Sequence, residues 1–170
     1  MNAVVVYESH WGNTAAIAQA IADGIGSETR ALNTSEATPE ALAGVDLIVA
    51  GSPVIAFALP RDGSLQQLAH DEKAPVPPDV SHPLLRTWLE NMPAGRGFAA
   101  AFETRIWWSL RGATGTIESK LKQAGYERLL AGERFIVSGG YGPLREGELE
   151  RARRWGTELA EALAAQLVPA

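Results

Sequence analysis

The chain has 170 residues, enough for one domain with a sizeable buried core. Hydrophobic residues make up 46% and charged residues 21%, which excludes general disorder. The formal net charge of −5 argues against nucleic acid as partner, because phosphate binding needs a cationic face, and the absence of cysteine excludes disulfides, thiol catalysis and thiolate metal sites.

No basic region followed by a long apolar stretch opens the chain, and the most apolar segment, residues 47–59, is broken by Gly51, Ser52 and Pro53. The expectation is a cytoplasmic protein with no membrane insertion. Residues 3–7 (AVVVY) are β-branched without polar alternation, the pattern of a buried parallel strand. From Asn13 the period becomes helical, with Ile17, Ile21 and Ile25 on one face and Gly24 and Gly26 closing the helix. A weaker strand follows at residues 29–32, Thr38 caps a turn begun by Pro39, and residues 46–50 (DLIVA) form the next buried strand. Residues 58–80 carry Pro60, Pro75, Pro77 and Pro78 and read as an irregular insertion, with a helical turn near Leu65 to His70. Ser81 reads as the cap of a helix carrying Leu84, Leu85, Trp88, Leu89 and Met92 inward. Residues 97–102 are a strand of small residues, and residues 113–124 a helix. Residues 134–138 are the last strand. Residues 146–166 form a long helix with Leu149, Ala152, Trp155, Leu159, Leu163 and Leu167 as its inner stripe.

Short apolar strands alternating with amphipathic helices require parallel crossovers, so the expected fold is α/β. It is a three-layer sandwich with a five-stranded parallel sheet of order 2-1-3-4-5 and helices on both faces. The whole chain forms one domain, and a ligand belongs at the carboxyl ends of the strands, in the loops at residues 8–14, 52–57 and 103–111.

The first loop is the most informative. Ser9, His10, Trp11, Gly12, Asn13 and Thr14 join a buried strand directly to a helix start, where amides lack intrahelical partners and the dipole adds positive charge. Ser9, Thr14 and Asn13 add neutral donors, so an anion needs no lysine here. An ordinary capped turn uses the same residue types. Neither the P-loop pattern nor the dinucleotide fingerprint is present, and no aspartate stands at the strand ends to accept a phosphoryl group.

Tyr7 to Thr14, YESHWGNT, resembles the phosphate loop of the flavodoxin-like FMN-binding family, pattern [ST]-x-T-G-x-T, at Ser9, Gly12 and Thr14, with Trp11 in place of the second threonine. Phe102-Glu103-Thr104-Arg105 is similar to an F-D-T-R segment of a bacterial branch of that family. Gly142-Pro143-Leu144-Arg145-Glu146-Gly147-Glu148 is similar to its G-P-L-x-x-G-E run. The likeness spans the chain apart from residues 58–80, and the expected strand order is that of flavodoxin itself. The resemblance implies FMN as cofactor, with its phosphate at residues 9–14. Its ring would lie between Ser52, Pro53, Val54, Ile55, Ala56 and Phe57 on one side and Glu103, Thr104, Arg105 and Trp107 on the other. Apolar and aromatic side chains there suit a flat ring, but Phe57, Trp107 and Trp108 equally suit a cover over the sheet end. Glu103 and Arg105 either set the charge near the ring or form a solvated pair on the rim. His10 is a phosphate neighbour, a proton donor or a surface-loop histidine. His70 and His82 stand apart in sequence, and no metal is assigned. Arg151, Arg153 and Arg154 alternate with Glu148 and Glu150 as a solvated helix face. The family's Trp and Tyr beside the ring are absent, and its flipping glycine is replaced by Ala56.

Three functions remain open on the sequence. The first is an electron carrier between a reductase and a redox partner protein or small-molecule electron acceptor, with the acidic balance steering it to a basic reductase. The second is an FMN-dependent oxidoreductase of quinone reductase or dehydrogenase type, using NAD(P)H or quinone directly and favoured by the long segment at 58–80. The third is a flavin-free interaction module on the same fold.

Overall fold

The computed structural model describes residues 1–167. Its sheet is built outward from β1 (Ala3–Tyr7), which pairs in parallel with β2 (Arg30–Asn33) on one side and β3 (Leu47–Pro53) on the other. β4 (Gly97–Ile106) lies beyond β3, and the fifth position is shared by two short strands. β5 (Tyr126–Arg128) pairs with the start of β4 and β6 (Glu133–Val137) with its end. The order 2-1-3-4-5 expected from the sequence is present. β5 was not expected, because only Tyr126 of its three residues is buried and no apolar run announces it.

Alternation along the strands divides the core into two layers. Val4, Val6, Ile48, Ala50, Ala99 and Ala101 face α3 (Leu85–Asn91) and α4 (Thr114–Gln123), where Leu85, Trp88, Leu89, Ile117 and Leu121 meet them. Ala3, Val5, Leu47, Val49, Ala100 and Phe102 face α1 (Asn13–Ile25) and α5 (Glu148–Leu167), through Ile17, Ile21, Trp155, Leu159 and Leu163. Both faces are covered, which is why the strands read as continuous apolar runs. α2 (Asp62–Ala69) lies outside both layers and buries none of its residues.

Several local expectations change. β3 and β4 run past their apolar runs, with Ser52 opposite Glu103 and Pro53 opposite Thr104, so Ser52, Pro53, Glu103, Thr104 and Arg105 stand on strands rather than in loops. β6 supplies the ladder that extends β4 to Ile106. α3 starts four residues after Ser81: the chain is still extended at Leu84, at φ −60°, ψ 145°, and the first helical amide, that of Leu85, donates to the Glu8 carboxylate at 2.6 Å. Thr38 caps an isolated turn, its hydroxyl accepting from the Ala41 amide at 3.3 Å. Gly24 lies within α1, where its role is close approach: a methyl there would fall on the Arg153 carbonyl, and one at Gly156 on the Ile21 carbonyl. The inner stripe of α5 is Ala152, Trp155, Leu159 and Leu163, while Leu149 and Leu167 are exposed. At the start of α5 Glu148 is buried instead, its carboxylate accepting from the Ile136 amide at 2.7 Å. Arg151 is not simply solvated: it pairs with Glu133 at 2.6 Å and Glu148 at 2.7 Å, its guanidinium 4.5 Å from the Phe135 ring centre.

Candidate functional site

The register sets Tyr7, the end of β1, beside Gly51 and Gly51 beside Phe102, so β3 and β4 run on past the end of β1, to Pro53 and Ile106. Chain leaving β1 turns at once into α1 through Gly12, which sits at φ +88°, a conformation that L side chains rarely adopt. No side chain caps α1, and its ladder begins with the Ala16 amide donating to the Gly12 carbonyl at 3.0 Å. The amides of Asn13, Thr14 and Ala15 therefore have no intrahelical acceptor, and the helix dipole adds positive charge where they point. Ser9 is buried and its hydroxyl accepts from the Gly12 amide at 3.1 Å. The hydroxyls of Thr14 and Thr104 bond to each other at 2.8 Å, fastening the start of α1 to the end of β4. The Asn13 side chain donates to the Tyr141 carbonyl at 3.0 Å, and any side chain at Gly142 would collide with it.

These residues open onto a cavity of about 210 Å³. Among the sequence-predicted residues, Ser9, His10, Trp11, Asn13, Thr14, Pro53, Val54, Ile55, Ala56, Thr104 and Arg105 line it. Gly12, Ser52, Phe57, Glu103 and Trp107 do not. Ser52 is buried with its hydroxyl donating to the Pro53 carbonyl at 3.1 Å, while Phe57 and Trp107 lie exposed outside the cavity. Leu68, Ile106, Val137 and Gly140 line it as well, and of these Ile106 falls within the 103–111 stretch named from the sequence. Ile106 and Val137 end β4 and β6, so the strand-end rule reaches them once the strands have their true lengths. Leu68 had no sequence signal, because it comes from α2.

Residues 58–84 cross the front of this loop. Trp11 donates its indole N–H to the Val76 carbonyl at 3.0 Å and meets Tyr141 edge-on at 5.0 Å. Tyr141 donates its hydroxyl to Asp71. That bond holds the Tyr141 proton on and lowers the Asp71 carboxyl below its usual range.

The charged groups are neither solvated nor on the rim. Glu103 is fully buried, paired with Arg105 at 3.0 Å and accepting from the Ala113 and Thr114 amides at 2.6 and 2.9 Å. It neutralises the start of α4, and only the Arg105 end of the pair reaches the cavity wall. His10 is buried, not a surface histidine: Nε2 lies 2.6 Å from Glu8 Oε1 and Nδ1 2.6 Å from the Asp79 carbonyl. Burial alone lowers its pKa, yet the bonds to Glu8 and Asp79 outweigh this and hold it above the ordinary histidine value. His82, distant in sequence, stacks on His10 at 5.8 Å. The other oxygen of Glu8 accepts from the Leu85 amide at 2.6 Å, so the residue that follows β1 meets the start of α3 as Glu103 of β4 meets the start of α4.

Ala56 and Phe57 sit at φ +50° and +62° between Ile55 and Ala58, whose amides and carbonyls pair across the turn. This left-handed turn usually calls for Asn-Gly, so the absence of glycine did not prevent the backbone from adopting it.

No group of three or more His, Asp or Glu that could hold a metal ion occurs among the described residues, and none of their helices is long and apolar enough to cross a membrane. No protein-family model matches the sequence, and no curated protein matches it either. Solved structures do. A flavodoxin from the domain Archaea superposes with a TM-score of 0.64 at 21% identity, over 96% of this chain and 99% of that one. Flavodoxin 2 from Bacillus cereus gives 0.60 at 18% identity, over 98% and 100%. The Flv1 flavodiiron core from Synechocystis sp. PCC6803 gives 0.64 at 23% identity, over 98% of this chain but 36% of that one. Together with the strand order and the strand-end cavity, these likenesses show that the chain has the flavodoxin-like fold.

Proposed function

We propose that the chain binds FMN at this cavity and carries electrons between a reductase and an acceptor, which is a redox partner protein or a small molecule. The observation that carries the reading is the uncapped start of α1 opening, through Gly12, onto a cavity walled by strand ends. Free amides, the Ser9 and Thr14 hydroxyls and a helix dipole are the donor set that a phosphate dianion needs. FMN, when bound, supplies a ring that takes up and releases electrons. The chain's own part is to bind and shield it. Pro53, Val54, Ile55 and Ile106 exclude water from the apolar part of the site, and Arg105 sets a positive charge in its wall. Ordinary ligand pockets hold roughly 300–1,000 Å³, so the reading also requires α2 to give way at Leu68, which it can do because none of its residues is in the core.

The test is a fluorescence titration with FMN and with riboflavin. Hydrogen bonds to a charged group contribute roughly 1.5–3 kcal/mol each, so two or more predict FMN binding at least about 100-fold tighter. Equal affinities overturn the assignment of the phosphate to residues 9–14.

A second reading, an FMN-dependent oxidoreductase using NAD(P)H or a quinone, is favoured by residues 58–84, which cover the site where a docking carrier would leave it open. Steady oxidation of NADH or NADPH by the FMN-loaded protein, with benzoquinone as acceptor, supports this reading. Its absence leaves the carrier.

A further inference from the structure

Two ionisable side chains with no exposed surface, Glu8 and His10, stand at the head of the loop that leads into α1. His10 Nε2 lies 2.6 Å from Glu8 Oε1, and Nδ1 lies 2.6 Å from the Asp79 carbonyl. A carbonyl only accepts, so Nδ1 carries a hydrogen. Nε2 and Oε1 meet this closely only across a shared proton, since two bare lone pairs would repel. With that proton the pair is neutral, whichever atom holds it. Without it the pair carries one negative charge, on Glu8. The second Glu8 oxygen accepts from the Leu85 amide at 2.6 Å, which holds the carboxylate in place. The other titratable groups against the ring come from the segment that crosses the loop. They are the Asp79 carboxylate, which accepts from the Ser81 amide at 2.9 Å, and His82, which stacks on His10 at 5.8 Å and bonds to the Ser9 carbonyl at 3.0 Å.

Ser9, Trp11, Asn13 and Thr14 of the same loop line the cavity onto which the uncapped start of α1 opens. Salt screens a buried charge little, so a charge on this pair acts on any anion bound there. We propose that the proton shared by Glu8 and His10 is coupled to anion binding at residues 9–14: the protonated pair admits a phosphate dianion, and the deprotonated pair repels it. Linkage then requires the anion to raise the proton affinity of the pair by the factor by which the proton raises the affinity for the anion. Burial opposes a charged ring, but the bonds to Glu8 and Asp79 outweigh it and hold the His10 pKa above the ordinary value of about 6.5, so the coupling acts on the alkaline side of that value. A phosphate monoester, with its second pKa at about 6, is already a dianion there. Glu8 and His10 are thus positioning residues that act by charge, through the loop. The inference deepens the FMN reading and rests on it for the identity of the anion. The coupling is tested with inorganic phosphate as well, so either can fail alone.

The experiment titrates FMN and riboflavin into the full chain at a series of pH values upward from about 6.5, at constant ionic strength, with circular dichroism confirming the fold at each. FMN affinity should fall at least about fivefold across the series, the lower end of an ordinary coupling, while the affinity for riboflavin, which lacks the phosphate, stays constant. In Glu8→Gln the new carboxamide accepts from the Leu85 amide and donates to Nε2, so a neutral ring keeps both its bonds and FMN affinity should no longer change with pH. In ring resonance titrations, inorganic phosphate should raise the His10 midpoint by the same factor, against chloride at equal ionic strength, and leave exposed His70 in place. A His10 midpoint that phosphate does not move overturns the proposal. So do FMN and riboflavin affinities that fall together as pH rises, which would make the pair a structural latch. Tighter binding of FMN than of riboflavin with no dependence on pH overturns the coupling and leaves the FMN reading standing. A His10 midpoint that phosphate raises, with FMN and riboflavin bound alike, supports the coupling and removes FMN as the anion.

Discussion

At the scale of single residues, the strand-end carboxylates carry the most consequence. Glu103 has no exposed surface and accepts from Arg105 and two amides at the start of α4. Removing one partner of a buried pair leaves the other charge uncompensated, at a cost of about 3–5 kcal/mol. Glu103→Ala should lose that much in urea unfolding, and a loss under about 1 kcal/mol would contradict the pairing. His10 makes the matching case at β1. Its folded pKa is raised above the unfolded value of about 6.5, so its contribution to stability is fully present below that pH and is lost as pH rises through the folded pKa. The His10 ring resonance should titrate above the free-histidine value, with unfolding free energy falling over the same window. A ring titrating at or below the free value would contradict the Glu8 contact.

At the scale of elements, α1 and α5 touch backbone to backbone because Gly24 and Gly156 lie at the contact. Gly→Ala inside an exposed helix ordinarily gains stability, up to about 1 kcal/mol. At Gly156 the added methyl meets the Ile21 carbonyl instead, so Gly156→Ala should cost about 1–3 kcal/mol in chemical denaturation. A neutral or stabilising result would mean that the two helices can separate freely. The amphipathic period shows that both helices exist and which side faces inward, but not that they approach this closely. Gly24 read as a helix end because a glycine near a C-terminus usually is one. The glycine that takes that place is Gly26, whose amide donates to the Ala22 carbonyl at 3.1 Å. α3 differs in the same way: its first amide is taken by Glu8, the residue that follows β1, not by the serine nearby in sequence.

At the scale of the whole molecule, one sheet separates two apolar layers, with Trp88 in one and Trp155 in the other. Strands that contribute alternate residues to both layers couple them, so the domain should unfold as one unit. Fluorescence denaturation curves of two variants, each with Trp11, Trp107 and Trp108 and then either Trp88 or Trp155 replaced by phenylalanine, leave Trp155 or Trp88 as the single reporter and should each stay single and agree with circular dichroism on the same sample. A fluorescence midpoint that departs from the dichroism midpoint would mean that the layers unfold separately. The sequence by itself determined the parallel sheet, its strand order apart from β5, and the place of the cavity. Strand and helix periods are local properties, and the carboxyl-end rule follows from the crossover topology. It also singled out the loop from Ser9 to Thr14 that joins β1 to α1, because those residues lie within six positions of chain. Only the tertiary structure decided how far β3 and β4 extend, since a neighbouring ladder and not an apolar run sustains their polar ends. It alone decided that Leu68 closes the cavity, that His82 stacks on His10, and that Glu8 and Glu103 face inward to helix starts. These contacts join residues far apart in the chain, or turn on the direction of a side chain at a strand end. Both depend on strand register and helix placement, which no local pattern encodes.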